Sequence, residues 1–527
     1  MPMSNTADMR RYRLLLINPY QKYKHYATQP QMCRLMDKRT VISPLALTLL
    51  ASLTPAHYEV RIVDEELETL PERIDADIVG ITTLTNTIIR CYELADRFRA
   101  QGIPVVLGGP HVSFAVDEGL AHADSVVVGE AEGAWQRCLA DFEAGRLQPT
   151  YETETPSAFT TSPLPRWELV NTRKVLSIPI QVTRGCPYDC EFCVVTKMFG
   201  RKMRYRALDD VIAEVKASPL RSILFVDDNL TINKKYAREL MTRLKPLGVS
   251  WTCQASLDLA KDPELLREMA AAGCEHIIIG FESLNADSLE TSRKFHNRVD
   301  EYRKAVETIH AAGIMIFASF IVGFDNDTLD ECDNIAAFAQ DAPIPYLMLN
   351  LLGSAPGTDL QRRLTDEGRW YGPCTDFMGG IFPVMHYMQF SQTELYERYL
   401  ATVTRAYEWP AIRERVVRLF GKGYFTRTRR GSDFGPLFKL WMLLRVVGLY
   451  LLSADRDKRR LFFELFSLAR RGTVSFDKAV GVMVAMEGFH RHLDLLRRYR
   501  TAYAPLLARA DKGAWRDMQG ECLPQSG

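Results

Sequence analysis

Short apolar runs rich in β-branched residues recur early in the chain, at 13–17, 58–63, 77–82, 104–107 and 125–128. Between most of them the apolar positions switch to helical spacing, as at 86–100, and a strand signal alternating with a helix signal predicts a parallel, doubly wound, Rossmann-like α/β domain over residues 1–152. A polar, proline-rich stretch follows at 153–166. The strand signal then resumes at 178–182, 223–226, 250–254, 276–279, 315–322 and 346–351. Six β/α units in series predict a partial (β/α)6 barrel of TIM type over residues 153–376.

From residue 377 the strand signal stops, and amphipathic patterns such as 393–405 and 457–469 predict a helical C-terminal domain over 377–527. One stretch, 436–452, is mostly apolar but holds Lys439 and Arg445. It is shorter than the ~20 residues of a spanning helix, so a core-packed helix is expected there. Its flanks, Arg427, Arg429, Arg430 and the basic run at 456–460, also admit peripheral membrane contact or a lipophilic substrate.

Composition narrows the partners. The 527 residues carry 66 Lys and Arg against 65 Asp and Glu, a formal charge of +1, so no global field draws the chain to nucleic acid. The first forty residues show no apolar segment followed by a small-residue cleavage site, and a cytoplasmic location is expected. Of eleven cysteines, three fall within eight residues. That is a ligand pattern in a reducing compartment, not a disulfide framework.

The three are Cys186, Cys190 and Cys193, in Gly185-Cys186-Pro187-Tyr188-Asp189-Cys190-Glu191-Phe192-Cys193. The motif directly follows the first barrel strand, in the type of loop where β/α barrels place their chemistry. Three thiolates can hold three irons of a 4Fe-4S cube, leaving the fourth iron open to a small ligand. Structural zinc would ask for a fourth ligand from a paired motif, and none occurs. A four-cysteine electron carrier would supply a fourth thiolate.

This spacing, with the aromatic Phe192 before the last cysteine, resembles the radical S-adenosylmethionine superfamily. The resemblance implies a 4Fe-4S cluster that cleaves S-adenosylmethionine reductively, and a reductant such as flavodoxin or ferredoxin. It also implies cofactor contacts from Phe192, from Asp228 and Asn229 after the second barrel strand, from Glu282 after the fourth, and from Gly323 after the fifth. A plain loop, a solvated carboxylate and a glycine required by a turn remain alternatives for these positions. The basic run Arg201, Lys202, Arg204 and Arg206 reads as a solvated face.

In the first domain, Gly108, Gly109, Pro110 and His111 end the fourth strand, and Val128, Gly129 and Glu130 end the fifth. Asn18 and Pro19 follow the first strand, and Thr82, Thr83 and Thr85 the third. All lie at carboxyl ends of parallel strands, where open α/β sheets bind ligands. The loop after the first strand lacks the G-x-G-x-x-G of a dinucleotide site. Set before a radical S-adenosylmethionine barrel, the domain resembles the cobalamin-binding domain of cobalamin-dependent radical enzymes. The D-x-H-x-x-G signature is absent, so His111 is read as a loop hydrogen-bonder rather than a cobalt ligand.

The segments 185–193, 225–229, 350–352 and 364–368 resemble the hopanoid C-methylase branch of that family. The resemblance implies transfer of a methyl group to an unactivated carbon of a small molecule through a 5'-deoxyadenosyl radical and methylcobalamin. Two other classes stay open: a non-methylating radical enzyme such as an oxidative cyclase, and a non-catalytic iron-sulfur and cobalamin-binding protein.

Overall fold

The computed structural model describes residues 11–25, 28–153, 159, 162–370, 379–427 and 433–510. Six strands build the first sheet: β1 (Tyr12–Asn18), β2 (Tyr58–Asp64), β3 (Ile78–Thr82), β4 (Val105–Gly108), β5 (Ser125–Val128) and β6 (Thr150–Glu152). Their order is β2-β1-β3-β4-β5-β6, and every pairing is parallel. Leu15 and Ile17 enter one apolar core and Leu14 and Leu16 another, because successive side chains of a strand point to opposite faces. Both faces are therefore covered, as a doubly wound sheet requires. From β1 the chain moves outward to β2, and from β3 it moves the other way. The loops after β1 and β3 part, leaving a crevice at the carboxyl edge. Strand β6 escapes sequence reasoning because its three residues carry one buried side chain, Tyr151, too little pattern to register.

The second sheet contains β7 (Ile178–Ile180), β10 (Ser222–Phe225), β11 (Ser250–Gln254), β12 (Cys274–Glu282), β13 (Met315–Val322) and β14 (Tyr346–Leu351). It runs β14-β13-β12-β11-β10-β7, parallel throughout, the order of an open six-stranded barrel. A two-stranded antiparallel ribbon, β8 (Thr183–Arg184) with β9 (Arg204–Tyr205), brackets the cysteine loop. Strand β7 stops before Val182, where the Asp227 carboxylate accepts the Val182 and Thr183 amides and takes the backbone out of the ladder. On β12 and β13, Ile277, Ile279, Ala318 and Phe320 are buried under the surrounding helices, while Ile278, Phe317, Ser319 and Ile321 are half-buried. The half-buried set lies on the opposite pleat and lines the lumen.

Helices Gln392–Tyr407, Trp409–Gly421, Pro436–Leu451, Arg456–Arg470 and Phe476–Ala510 form the C-terminal part. Ser391 and Glu394 start the first with a reciprocal capping box. The expected domain boundary at 376/377 lies outside the described residues. Beyond it, Ile381, Phe382, Val384 and Met385 are buried in the barrel's own core, which continues without a break into these helices. Helix Pro436–Leu451 corrects an expectation: it buries Met442, Val446 and Tyr450 and leaves Leu437, Leu440, Trp441 and Leu444 exposed. No helix among the described residues is long and apolar enough to cross a membrane.

The first domain sits on the barrel mouth. Gly357, at φ +81°, lies so close to Phe114 that an added Cβ would come within 2.4 Å of the ring. Both the left-handed backbone and the ring exclude a side chain. Gly357→Ala is expected to destabilise the protein by about 2 kcal/mol, seen as a lower denaturation midpoint in chemical unfolding.

Candidate active site

The cysteine loop turns at Gly185 (φ +94°), where a Cβ would stand 2.7 Å from the Lys202 carbonyl oxygen. The close approach brings β9 under the loop, and the Cys186 amide donates to the Gly200 oxygen. All three cysteines are half-buried free thiols. Burial raises each, Cys193 to about 12. The nearby Lys294 ammonium acts in the other direction on Cys186 and Cys190. Lys294 itself pairs with Glu282 at 2.9 Å.

Charged side chains on either side pin this loop. Glu191 receives Arg363 through Nε at 2.6 Å and Nη2 at 3.2 Å, and Arg363 also donates to Asp325 at 2.7 Å, which accepts from Arg369 as well. Asp189 receives Arg293 at 3.1 Å, and Arg293 reaches Asp359 at 2.6 Å, which also holds Lys197 at 2.8 Å. Backbone bonds Glu191 N to Ser292 O and Leu360 N to Glu191 O complete the clasp. Sequence reasoning missed Arg293, Lys294, Asp359 and Arg363, because they come from segments more than a hundred residues away in the chain and carry no motif of their own.

Around the mouth the expected residues divide. Asp227 is buried and structural, accepting from Thr183 Oγ1 at 2.8 Å as well as from two amides; burial lifts it to about 7. Asn229 is also turned inward, donating to Ser256 Oγ at 2.9 Å. Asp228 stays half-buried within electrostatic reach of Cys186 and Cys193, and burial raises it to about 6. Glu282 sits at φ +66°, uncommon for a non-glycine residue, with its carboxylate turned to Lys294. Phe192 packs 6.0 Å from Phe324. Gly323, at φ +107°, leaves room for Tyr387, whose ring would be 2.6 Å from a Cβ. The basic run is only half solvated: Arg201 and Lys202 are exposed, while Arg204 pairs with Glu130 and Arg206 is buried against Glu214 at 2.6 Å.

At the edge of the first sheet, Gly109 (φ +117°) lets Thr83 approach; a Cβ would meet the Thr83 oxygen at 2.6 Å. Thr83 Oγ1 donates to the Gly108 oxygen at 3.0 Å. Asn18 donates to Asp64 at 2.8 Å, and Thr82 ends β3 beside Gly108. Nothing lies within 4 Å of a Cβ added at Gly129. Tyr20 and Leu84, on the loops that part at the crevice, are exposed. His111 is buried, its Nδ1 3.2 Å from Thr85 Oγ1 and its Nε2 3.5 Å from Glu118. This edge is tied to the cysteine loop's base: Arg184 donates to Glu130 at 2.6 Å and to Glu132 at 2.7 Å, and Arg204 grips the same Glu130. Glu130 and Arg184 are both buried.

Residues 180–339 match the radical SAM superfamily and residues 39–139 the B12 binding domain. The chain is 30% identical to the bacteriochlorophyllide d C-12(1)-methyltransferase of Chlorobaculum tepidum over 403 residues, 73% of this chain and 87% of that protein. It is 32% identical to the hopanoid C-2 methylase of Rhodopseudomonas palustris over 68% of this chain and 71% of that one. The chain belongs to the cobalamin-dependent radical S-adenosylmethionine methyltransferase family. The fold of this methyltransferase-family enzyme is also that of TsrM from Kitasatospora setae, solved with cobalamin and a 4Fe-4S cluster bound, at TM-score 0.56 and 16% identity over 94% of this chain and all of that one.

The enzyme's cofactors are a 4Fe-4S cluster, S-adenosylmethionine and cobalamin, and the donor set fits them. The cysteine loop offers three half-buried thiols and no fourth cysteine within its motif, the thiolate count of a 4Fe-4S cube with one iron left open to a small ligand. The first-sheet edge offers bare glycines and exposed apolar side chains, which suits a broad, flat group.

Two outcomes follow. Arg363→Met leaves the Glu191 carboxylate without its two-pronged partner and is expected to lower the iron retained after reconstitution several-fold, by iron-to-protein ratio, with cobalamin binding unchanged. Hydrogen bonds from Lys197 and then Arg293 hold the Asp359 carboxyl at about 2, below its unfolded value of about 3.9. Its pairs therefore stabilise the fold above that value and are lost as pH falls toward 2. Asp359→Asn should flatten the acid unfolding curve of the apoprotein in that window, followed by circular dichroism.

Proposed function

We propose that the enzyme transfers a methyl group to an unactivated or weakly activated carbon of a lipophilic small molecule held in the barrel lumen. Cys186, Cys190 and Cys193 are its cluster ligands. Phe192, Asp228 and Gly323 contact S-adenosylmethionine, and Asn18, Thr82, Thr83, Gly108, Gly109 and Gly129 form the cobalamin cradle. Asn229 and Glu282, and Glu130 and His111 on the first domain, act by shaping these loops through the partners they already hold.

The observation that carries this reading is the salt link of Arg184 and Arg204 to Glu130, which fixes the first sheet's crevice against the loop that bears the cysteines. When bound, the cluster would supply reductive cleavage of one S-adenosylmethionine, and cobalamin would carry the methyl group of a second from its sulfonium sulfur to the substrate carbon. A carbon that is not nucleophilic cannot attack a sulfonium, so such a substrate needs that route. The chain's own part is positional. Asp228 offers a carboxylate to an ammonium, and the Lys294 cation offsets the negative charge of three thiolates. Ile278, Phe317 and Ile321 give the lumen an apolar wall, and Ser319 and Asn350, joined at 3.1 Å, give it a polar spot to orient a substrate. A low-potential reductant completes the system.

The test is an anaerobic assay of reconstituted enzyme with candidate lipids or cell extract and methyl-deuterated S-adenosylmethionine. The expected product carries the label, with 5'-deoxyadenosine and S-adenosylhomocysteine formed in equal amounts. Unlabelled product forming in step with 5'-deoxyadenosine would show a cyclase-type reaction instead. Cys190→Ala should abolish 5'-deoxyadenosine formation. His111→Ala should keep the cobalamin absorption spectrum of the parent, since its ring faces Thr85 and Glu118.

A further inference from the structure

Helix Pro436–Leu451 is amphipathic in an inverted sense. Its inward side holds Met442, Val446 and Tyr450, and its outward side holds Leu437, Leu440, Trp441 and Leu444, exposed at 84, 53, 41 and 62%, followed by Leu452 at 87%. No acidic residue occurs between 437 and 452. Arg445 leaves this face clear, donating to the Leu35 oxygen at 3.0 Å and lying over the Trp441 ring. A contiguous apolar face of this kind on a protein surface marks an interaction site.

The surroundings say what covers it. On the next helix, Arg456–Arg470, the exposed Phe463 shares its side with exposed Arg456, Arg460 and Arg470, at spacings of four, three and seven residues. Between residues 427 and 471 the sequence has eleven Lys and Arg against four Asp and Glu, in a chain that is otherwise close to balanced. A cleft of about 560 Å³, mainly basic through Lys22, Arg34, Lys38 and Arg39 but also holding the Lys24–Glu66 and Lys174–Asp37 pairs, reaches the helix's beginning at Lys38. Lys38 lies 5.7 Å from the Phe434 ring, and Phe434 stacks on Phe438 at 4.5 Å.

We propose that this face docks on an anionic lipid bilayer. Leu437, Leu440, Trp441 and Leu444 enter the boundary between headgroups and acyl chains, and Arg456 and Arg460 meet the lipid phosphates. A second copy of the chain is a poorer occupant, since a twofold contact would press the same basic rim against itself. The proposal stands whatever carbon the enzyme methylates.

Full-length holoenzyme floated with phosphatidylglycerol-containing phosphatidylcholine vesicles tests it. The expected result is flotation at low salt that falls several-fold on pure phosphatidylcholine or at high salt, with a blue shift of fluorescence that the Trp441→Phe variant lacks. Leu440→Glu with Leu444→Glu should abolish flotation while cobalamin absorption and circular dichroism match the parent. Arg456→Glu with Arg460→Glu, at sites already in solvent, should remove the salt-sensitive part. Wild-type protein that stays at the bottom of the gradient with both vesicle types overturns the proposal, as does a dimer in sedimentation that the leucine pair breaks without any flotation.

Discussion

Everything at this site depends on one buried carboxylate, Glu130, gripped by Arg184 and Arg204. Taking three charges out of water is costly, and the cost is offset only where hydrogen bonds satisfy them. Here Glu130 also leaves Arg184 a second partner in Glu132, and the Phe159 ring lies 4.1 Å from the Arg184 guanidinium. Removing one partner would strand the others, so the arrangement specifies a single seating of the first sheet on the barrel. Radical chemistry between two cofactors tolerates little misplacement, and this link fixes the register that such chemistry needs.

A second layer of charge does for the loop what the first does for the domain. Arg293, Arg363 and Lys197 are each held by carboxylates that belong to, or touch, the cysteine loop. The loop has almost no regular structure to stiffen it, and only the short helix Val195–Phe199 follows. Long-range ion pairs therefore replace a local ladder. Against the burial that raises the thiols, the Lys294 ammonium favours for Cys186 and Cys190 the thiolate form a metal cluster requires.

The apolar helix shows how far local pattern reaches. Its sequence is compatible with a core helix or a membrane-facing one, because the same leucines satisfy both. What decides is which side its neighbours cover: Met442, Val446 and Tyr450 are buried, and Leu437, Leu440, Trp441 and Leu444 are left outside. The basic run 201–206, a solvated face by its local pattern, is solvated only in part: Arg204 pairs with the distant Glu130, and Arg206 with Glu214 on the helix that follows it.

Both parallel sheets were legible in the local pattern of the sequence, since runs of β-branched residues separated by helical spacing have few other solutions, and that pattern marked the three cysteines as well, since a C-x-x-x-C-x-x-C loop after a strand is local in the chain. It also marked the glycine-rich edge at Gly108, Gly109 and Gly129, whose conformations are set residue by residue. Packing chose which of Asp227, Asp228 and Asn229 faces the cysteines, because a strand end presents adjacent residues to opposite sides and the choice rests on Thr183 and Ser256 claiming two of them. It likewise decided the partners of Glu282, Glu130 and His111. A buried charge or ring takes whichever complementary group the packing delivers, from the next element, as with Lys294 and Glu118, or from another domain, as with Arg184 and Arg204.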